Sequence, residues 1–460
     1  MIFALDIGTR KVAGILGEQS GGRLRIADCF VTEHKKRAML DGQIHSIEDV
    51  SETVNRVKNA LESRNNVKLK KVSTALAGRS LHTEKADFEA VFKGEITGET
   101  LSYVEIEAVK AAYRKIPDDK KSDYCCVGYS PVYYEVDKQA IKNPRQHQAK
   151  ASIKTEVIAT FLPRPVFESV LQVMKNCSLE IDGITLEPIA ALHVTIPEDM
   201  RLLNLALVDV GAGTADIAIT NNGRIAAYGM IPKAGDEVTE EICRKFITDF
   251  HSAEKLKKNA AEGMSYTLPD IFGSTREITY DDFREAVSEA AGQAAGEIAD
   301  CIMELNNGRP QAVVMAGGGS GLLVLRELIA DKLALPRNRV GVRLPASILN
   351  VDNIPPELSG NDGITPLGIL ACSADGKNIG FVGVTLNGRK EFIINLNDRI
   401  TVKDVVLSSG IELKKLYGKP GNAVTVKVNG EIKIIRGKMP EHSKILVNGE
   451  PKELEDTVQK

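Results

Sequence analysis

The chain of 460 residues contains no tryptophan, and phenylalanine, tyrosine and tryptophan together make up only 5% of it. A membrane-docking amphipathic helix anchors itself through aromatic and leucine side chains opposite a basic face. No stretch here has that pattern. Charge of one sign is lacking as well: 59 basic against 62 acidic residues leave a net charge of −3. That balance gives no electrostatic footprint for nucleic acid or an anionic bilayer. No apolar run is long enough to span a membrane, since VVMAGGGSGLLVL at 313–325 is short and broken by glycine. The seven histidines show no metal-ligand spacing, which argues against zinc. The seven cysteines are scattered, and Cys125-Cys126 is their only close pair. This usage suits buried reduced thiols in a cytoplasm. A first strand at the very start, with no basic segment and no cleavage site, points away from secretion.

What is present is a repeat. FALDIGTRKVAGI at 3–15 and LALVDVGAGTADIAI at 205–219 follow one logic. Apolar residues lead to an aspartate (Asp6, Asp209), then an apolar residue, a glycine (Gly8, Gly211), a threonine (Thr9, Thr214) and a second apolar strand. In a strand–turn–strand of this kind, glycine lets backbone N–H groups approach phosphate oxygens. The threonine adds a donor, and Arg10 or Lys11 supplies positive charge. An aspartate at each strand end suits Mg²⁺, which keeps several waters and takes few carboxylates. Two such hairpins facing each other would grip a triphosphate from both sides. A third element, VVMAGGGSG at 313–321, is a strand entering a glycine-rich turn before the helix LLVLRELIADKL. Its backbone can lie flat against a purine, and the helix start favours anions. The Rossmann and Walker readings fail on spacing, because no G-x-G-x-x-G follows the first strand and GK[ST] is absent.

The three elements in this order resemble the actin-like ATPase superfamily, and other blocks are similar to its FtsA-type cell-division branch. These are RAMLDGQIHSIEDVSETVNRVKNALE at 37–62, SPVYYEVDKQAIKNP at 130–144, IPKAGDEVTEEI at 231–242, AEKLKK at 253–258 and ITPLGILACSA at 364–374. The resemblance covers roughly residues 1–375. It implies an α/β, actin-like (ribonuclease-H-like) fold of duplicated domains around a nucleotide cleft. The implied boundaries are 1–78 with 162–199 for the first domain, 79–161 for an inserted subdomain that contacts a neighbour, and 200–362 for the second domain. Within the last, 240–300 would be a helical subdomain enclosing a loop-rich stretch, and 363–375 would be a closing helix.

The resemblance also implies roles. Asp6 and Asp209 become the Mg²⁺-side acids, and Gly8, Thr9, Gly211, Gly213 and Thr214 phosphate contacts, with Arg10 and Lys11 kept as cofactor-binding candidates on their charge. Glu254 and Lys257, on one helical face, become ribose and adenine contacts beside Gly235, while Gly317, Gly318 and Gly319 bed the purine. Glu187 in LEPIAAL would align the attacking water. Asp216 would stand behind the phosphates as a further acid of the cation site. Each has a plainer reading: Glu187 before Pro188 suits a helix start, Lys255, Lys257 and Lys258 suit a solvated face, and Asp216 suits a strand pairing. Ala212 and Ala215 stand where the family often has Gly and Thr, which puts hydrolysis rate rather than binding in question.

After Asp375 the chain turns β-rich, with VTLNG, VKVNG and ILVNG at 384–388, 426–430 and 445–449 each ending a strand on Asn-Gly, the strongest short hairpin signal. TVKDVVLSSGI at 401–411 reads as an intervening helix, so a β-grasp-like module is expected over 376–460. A sulfur-carrier role is excluded by an end that reads EDTVQK rather than Gly-Gly, and ILVNGEPKELEDTVQK lacks an evident partner strand. The expectation is a cytoplasmic ATP- and Mg²⁺-binding scaffold or switch that hydrolyses slowly, self-assembles, and reaches a membrane through a protein partner. Chaperone-like and pilus-assembly roles on the same fold remain open. A small-molecule kinase lacks a base aspartate beyond the clamp acids.

Overall fold

The computed structural model of the protein describes residues 1–76, 81–117, 120, 123–395, 400–408, 423–435 and 443–458. The chain divides into two compact units, one of 1–115 with 123–379 and one of 380–460 with 116–122.

In the first unit, β1 (Ile2–Ile7), β2 (Lys11–Ser20) and β3 (Arg23–Glu33) form an antiparallel meander. A small hairpin, β4 (Met39–Leu40) and β5 (Gln43–Ile44), turns on Asp41-Gly42, both at positive φ (48° and 73°). Helix α1 (Ile47–Asn65) starts where the capping pattern predicts, with Ser46 Oγ accepting from the Asp49 N–H at 3.2 Å. Its Val50, Val54, Val57 and Leu61 are all buried, the face expected from their spacing. β6 (Lys71–Leu76) pairs parallel with β1. The expected exit at Gly78 lies outside the described residues.

Next come β7 (His82–Val91), β8 (Gly94–Glu95), α2 (Gly98–Lys115), β9 (Tyr124–Val136), β10 (Gln139–Ile141), β11 (Gln148–Ala149) and β12 (Ser152–Pro163), with a sheet of order β10-β9-β12-β7 and a separate β8–β11 pair. Cys125 and Cys126 lie here as free thiols, both pushed up to about 12 by burial, so they are unreactive near neutral pH. Helix α3 (Arg164–Asn176) opens with Pro165 in its first turn and returns the chain to the first sheet, where β13 (Glu180–Leu186) joins its edge. Helix α4 (Glu187–Thr195) follows without a loop.

The second sheet comprises β14 (Leu205–Val210), β15 (Ala215–Asn221) and β16 (Arg224–Ile231). After α5 (Gly235–Phe246) and α6 (Phe250–Asn259) comes a hairpin, β17 (Ser265–Pro269) with β18 (Thr275–Thr279). Sequence patterning reads this stretch as loop. Its turn is built by Asp270, whose Oδ1 accepts from the N–H groups of Phe272 and Ser274 at 2.9 Å each. The long helix α7 (Tyr280–Asn306) buries Ala291, Ala294, Ala295 and Ala299, small side chains that let it lie close to the sheet. β19 (Ala312–Ala316), α8 (Leu323–Lys332), β20 (Val340–Val342), β21 (Val351–Asp352) and α9 (Ile364–Ala374) complete the unit.

Five strands of the first sheet, β3-β2-β1-β6-β13, follow the same order as β16-β15-β14-β19-β20, with antiparallel and parallel pairings in the same places, and β21 adds a sixth strand beside β3. The sequence repeat is thus a repeat of whole sheets. Between them run α4 and α9. A Cβ on Gly368 would lie 2.1 Å from the Ala190 carbonyl oxygen, so this glycine sets how closely the two helices cross.

In the second unit, residues 380–386 pair with 389–395, 424–428 with 431–435, and 446–447 with 450–451. Each turn is Asn-Gly with both residues at positive φ, as type I′ hairpins require. A helix spans Val402–Ser408; the remainder of the expected 401–411 helix lies outside the described residues. Thr457–Val458 pair with Ile400–Thr401, a partner strand that the local sequence does not reveal. Among the described residues no helix is long and apolar enough to cross a membrane.

Candidate functional site

The two turns expected to hold phosphate have matching geometry. The Gly8 N–H donates to the Lys11 carbonyl at 3.0 Å, and the Gly211 N–H to the Thr214 carbonyl at 2.8 Å. Both turns line one cleft of about 900 Å³. Asp6, Thr9, Arg10 and Lys11 line it from the first half, together with Glu187 at the first residue of α4. Asp209, Gly211, Thr214, Gly235, Glu254 and Lys257 line it from the second half. Gly317, Gly318 and Gly319 lie in its wall, in the turn after β19. Of the residues nominated from sequence, Gly213 and Asp216 are not on the lining. Gly213 instead abuts the Asp41-Gly42 turn, where a Cβ would lie 2.9 Å from the Asp41 backbone. Thr9 Oγ1 accepts from the Gly42 N–H at 3.3 Å in the same contact.

The carboxyls of Asp6, Asp209 and Glu187 line the cleft, and Asp216 lies beside Asp209 off the lining. Burial pushes Asp6 up to about 7; Lys11 opposes the rise, and Asp209 and Asp362 add to it. Burial likewise raises Asp209 to about 6, against a hydrogen bond from Thr365. Asp216 reaches about 7 through burial and the neighbouring Asp209. Glu187 is driven well above the ordinary carboxylate range by burial, then by Asp216, Asp6 and Asp209. Asp216 is 1% exposed and cross-strand partner to Asp209 in the β14–β15 register. Its Oδ2 accepts from Thr214 Oγ1 at 3.2 Å, while Oδ1 has no partner. Asp216 thus belongs to a strand pair, the plainer of its two readings, and carries a buried oxygen without a partner. In the first hairpin the corresponding partner of Asp6 is Ala13.

This donor set fits a hard divalent cation. The acids are oxygen ligands, they are desolvated, and their mutual repulsion is relieved by positive charge. Among the described residues no group of three acidic, His or Cys side chains is placed to hold a metal by itself.

Cations of the first half are committed across the cleft. Arg10 pairs with Asp236 on α5 and lies 3.4 Å from Glu254 on α6, with its guanidinium 4.8 Å above the Phe250 ring. Arg37 stacks on the same ring at 5.0 Å and pairs with Glu240 at 3.1 Å. Lys11 reaches Asp362, ahead of α9, at 2.5 Å. Lys257 is not on a solvated face: it donates to the Gly235 carbonyl at 2.8 Å and pairs with Glu254 at 2.7 Å. Burial alone would raise Glu254, but Lys257, Thr239 and Arg10 hold it down to about 2. Lys255 and Lys258 are exposed.

Several residues of the cleft carry no local sequence signal. Asp362 and Thr365 act through partners distant along the chain, as does Asp236 behind Arg10, while Tyr280, Phe283 and Leu322 give the wall near the glycine-rich turn its apolar part. Gly317 is indispensable there. At φ 79°, ψ 162° it occupies a region open essentially to glycine, and a Cβ would lie 2.2 Å from Asp209 Oδ1.

Duplicated sheets, paired turns and a glycine-rich wall around one cleft define an actin-like ATPase fold. A family model described as type IV pilus assembly protein PilM matches residues 4–271, and one described as cell division protein FtsA matches 206–355. FtsA of Pseudomonas aeruginosa is 25% identical over 371 residues, covering 77% of this chain and 85% of that protein. FtsA of Streptococcus pneumoniae is 23% identical over 363 residues, covering 74% and 77% respectively. Among solved structures, the PilM–PilN type IV pilus biogenesis complex gives a TM-score of 0.59 at 16% identity, covering 81% of this chain and 98% of the matched one. With a match over more than half its length, the chain belongs to the PilM family, within the FtsA-type group of actin-like ATPases.

Proposed function

We propose that the cleft binds ATP with Mg²⁺ and that the protein is a slow ATPase acting as a scaffold or switch at the cytoplasmic side of an envelope machine. The observation that carries this reading is the pair of matched turns, each carrying an aspartate, opposed across one cleft with the glycine-rich turn in its wall. Gly8, Thr9, Gly211 and Thr214 meet the phosphates, Lys11 exchanges Asp362 for phosphate, and Gly317–Gly319 bed the base. Glu254 and Lys257 face the ribose side. Asp6 and Asp209 would hold Mg²⁺, which when bound neutralises phosphate charge, with Asp216 behind them. Glu187 would align the water that attacks the terminal phosphate, ADP leaving, and a cation held by Asp6 and Asp209 would supply charge neutralisation there.

The setting is cell division or pilus assembly, and the protein self-assembles or docks a partner according to nucleotide state. The PilM match, longer than the FtsA one, favours the pilus machine as the second reading. The test is sedimentation with negative-stain microscopy in MgATP, MgADP and no nucleotide, with Asp209→Ala as control. Filaments in MgATP alone, absent from the variant, support a polymerising scaffold. ATP binding by a protein that stays monomeric supports a partner-dependent switch. Failure to bind any nucleotide refutes the reading.

A further inference from the structure

One short segment touches all three walls of the cleft. The Asn361 carbonyl accepts from the Gly317 N–H at 3.1 Å, tying the segment to the glycine-rich turn. Asp362 pairs with Lys11 of the first phosphate turn at 2.5 Å. Thr365, in the first turn of α9, donates its hydroxyl to Asp209 Oδ2 beside the second phosphate turn. Thr365 and Asp209 are 8% and 6% exposed, so water does not compete for that bond. The segment is itself fixed, since a Cβ on Gly363 would lie 2.0 Å from the Leu358 carbonyl oxygen.

The choice of donor is informative. Among the described residues no Lys or Arg pairs with Asp209, whose other oxygen lies over the Gly317 backbone. A cationic partner would orient the carboxylate and cancel its charge together. A hydroxyl orients it and leaves the charge free for a ligand. Resting on the nucleotide-cleft reading, we propose that Thr365 is a positioning residue: it holds Asp209 in the orientation that receives the Mg²⁺–nucleotide complex. The same helix crosses α4 at Gly368 and Ala190, one turn from Glu187. Helix α9 thereby sets Asp209 and the water-aligning acid from one rigid element.

The experiment compares wild type with Thr365→Val, which keeps the shape and removes the donor, and Thr365→Ser, which restores it. Two readouts are taken: the Mg²⁺ concentration at half-maximal binding of a fluorescent ADP, and kcat and KM for ATP. Thr365→Val is expected to raise the Mg²⁺ requirement and lower kcat by about 10–100-fold, with Mg²⁺-free nucleotide affinity within about threefold and Thr365→Ser near wild type. Ser373→Ala removes a hydroxyl further along α9, where it meets Ser73 Oγ at 2.8 Å, and is expected to leave both readouts unchanged. A wild-type Mg²⁺ requirement and kcat in a folded Thr365→Val protein overturn the proposal, as does equal impairment of the Val and Ser variants. Should Thr365→Val fail to fold, Thr365→Cys, a weak donor of similar size, takes its place: an intermediate Mg²⁺ requirement supports the role and an unchanged one refutes it. A wild-type protein whose nucleotide binding ignores Mg²⁺ instead removes the function reading itself.

Discussion

Replacing Gly317 by alanine tests the link between backbone geometry and the cation site. At φ 79°, ψ 162° an L residue costs about 1–3 kcal/mol in backbone strain. The new methyl would also lie 2.2 Å from Asp209 Oδ1 and 2.4 Å from the Val210 carbonyl oxygen. Relieving such a collision in a packed interior costs about another 1–3 kcal/mol, so the total is about 4 kcal/mol. Of the two colliding groups, the carboxylate rotates more cheaply than the strand moves. Asp209 therefore turns away, and Mg²⁺-dependent nucleotide affinity is expected to fall at least about tenfold, or 1.4 kcal/mol. Gly273→Ala is the control: φ there is +80° with nothing within 4 Å of a Cβ, so strain alone acts, at about 1–2 kcal/mol. Urea unfolding followed by far-ultraviolet circular dichroism, in a protein without tryptophan, gives stability. Fluorescent-nucleotide titration gives affinity. A Gly317→Ala protein no less stable than Gly273→Ala, binding nucleotide as wild type does, would falsify this reasoning.

Arg10→Ala removes the cation that Asp236 and Glu254 share, but Arg37 stays 3.7 Å from Asp236 and Lys257 2.7 Å from Glu254. The expected cost is therefore about 0.5–1.5 kcal/mol, with faster nucleotide release in stopped-flow displacement. An unchanged release rate would show that the pairing does not close the cleft. In the helices, Gly368→Ala is expected to destabilise by about 3 kcal/mol through its collision with Ala190. Gly296→Ala, in α7 with open space around it, should stabilise by about 0.5–1 kcal/mol. A urea midpoint that does not fall for Gly368→Ala refutes the first expectation, and one that does not rise for Gly296→Ala refutes the second. His34 donates from Nε2 to the Gly8 carbonyl at 3.1 Å, and burial lowers its pKa below the ordinary value. The unfolded chain then binds a proton that the folded chain resists, so this contribution is absent above about pH 6.5 and destabilises progressively as pH falls below it. His193 shifts the same way. Stability measured against pH should fall less steeply in His34→Gln; an unaltered slope would assign the effect elsewhere.

What the sequence made legible and what it concealed divide along one physical line. The two phosphate turns, the glycine-rich turn, the Ser46 cap and the three Asn-Gly hairpins are all readable because each is fixed by residues within a few positions of one another. Asp6 and Gly8, or Asn429 and Gly430, dictate local backbone whatever surrounds them. The partners that complete the cleft are not of this kind. Arg10 with Asp236, Lys11 with Asp362 and Asp209 with Thr365 join residues 226, 351 and 156 positions apart. No periodicity links such pairs, and either member alone reads as an ordinary surface charge or helix-start hydroxyl. The hairpin at 265–279 was concealed for another reason: Asp270 makes its turn by side-chain hydrogen bonds, without the Asn-Gly signature.

The same contrast explains where the two halves differ. Folding requires only that each hairpin close, and the turns at 8–11 and 211–214 do so with the same hydrogen bond. Chemistry requires asymmetry. Across the strand from Asp209 stands Asp216, whereas across from Asp6 stands Ala13. The second half also receives Thr365 from α9, and its Gly317, lacking a Cβ, leaves room for the same carboxylate. Two buried acids side by side cost stability unless a cation offsets them. A fold that keeps this pair on one hairpin, and an alanine at the matching place on the other, concentrates the cost where a metal–phosphate ligand would relieve it. Ala13→Asp, which would give the first hairpin the same pair, is accordingly expected to destabilise the ligand-free protein, and addition of MgATP should recover part of the loss. A destabilisation that MgATP leaves untouched would mean that the first hairpin lies beyond the reach of the cation.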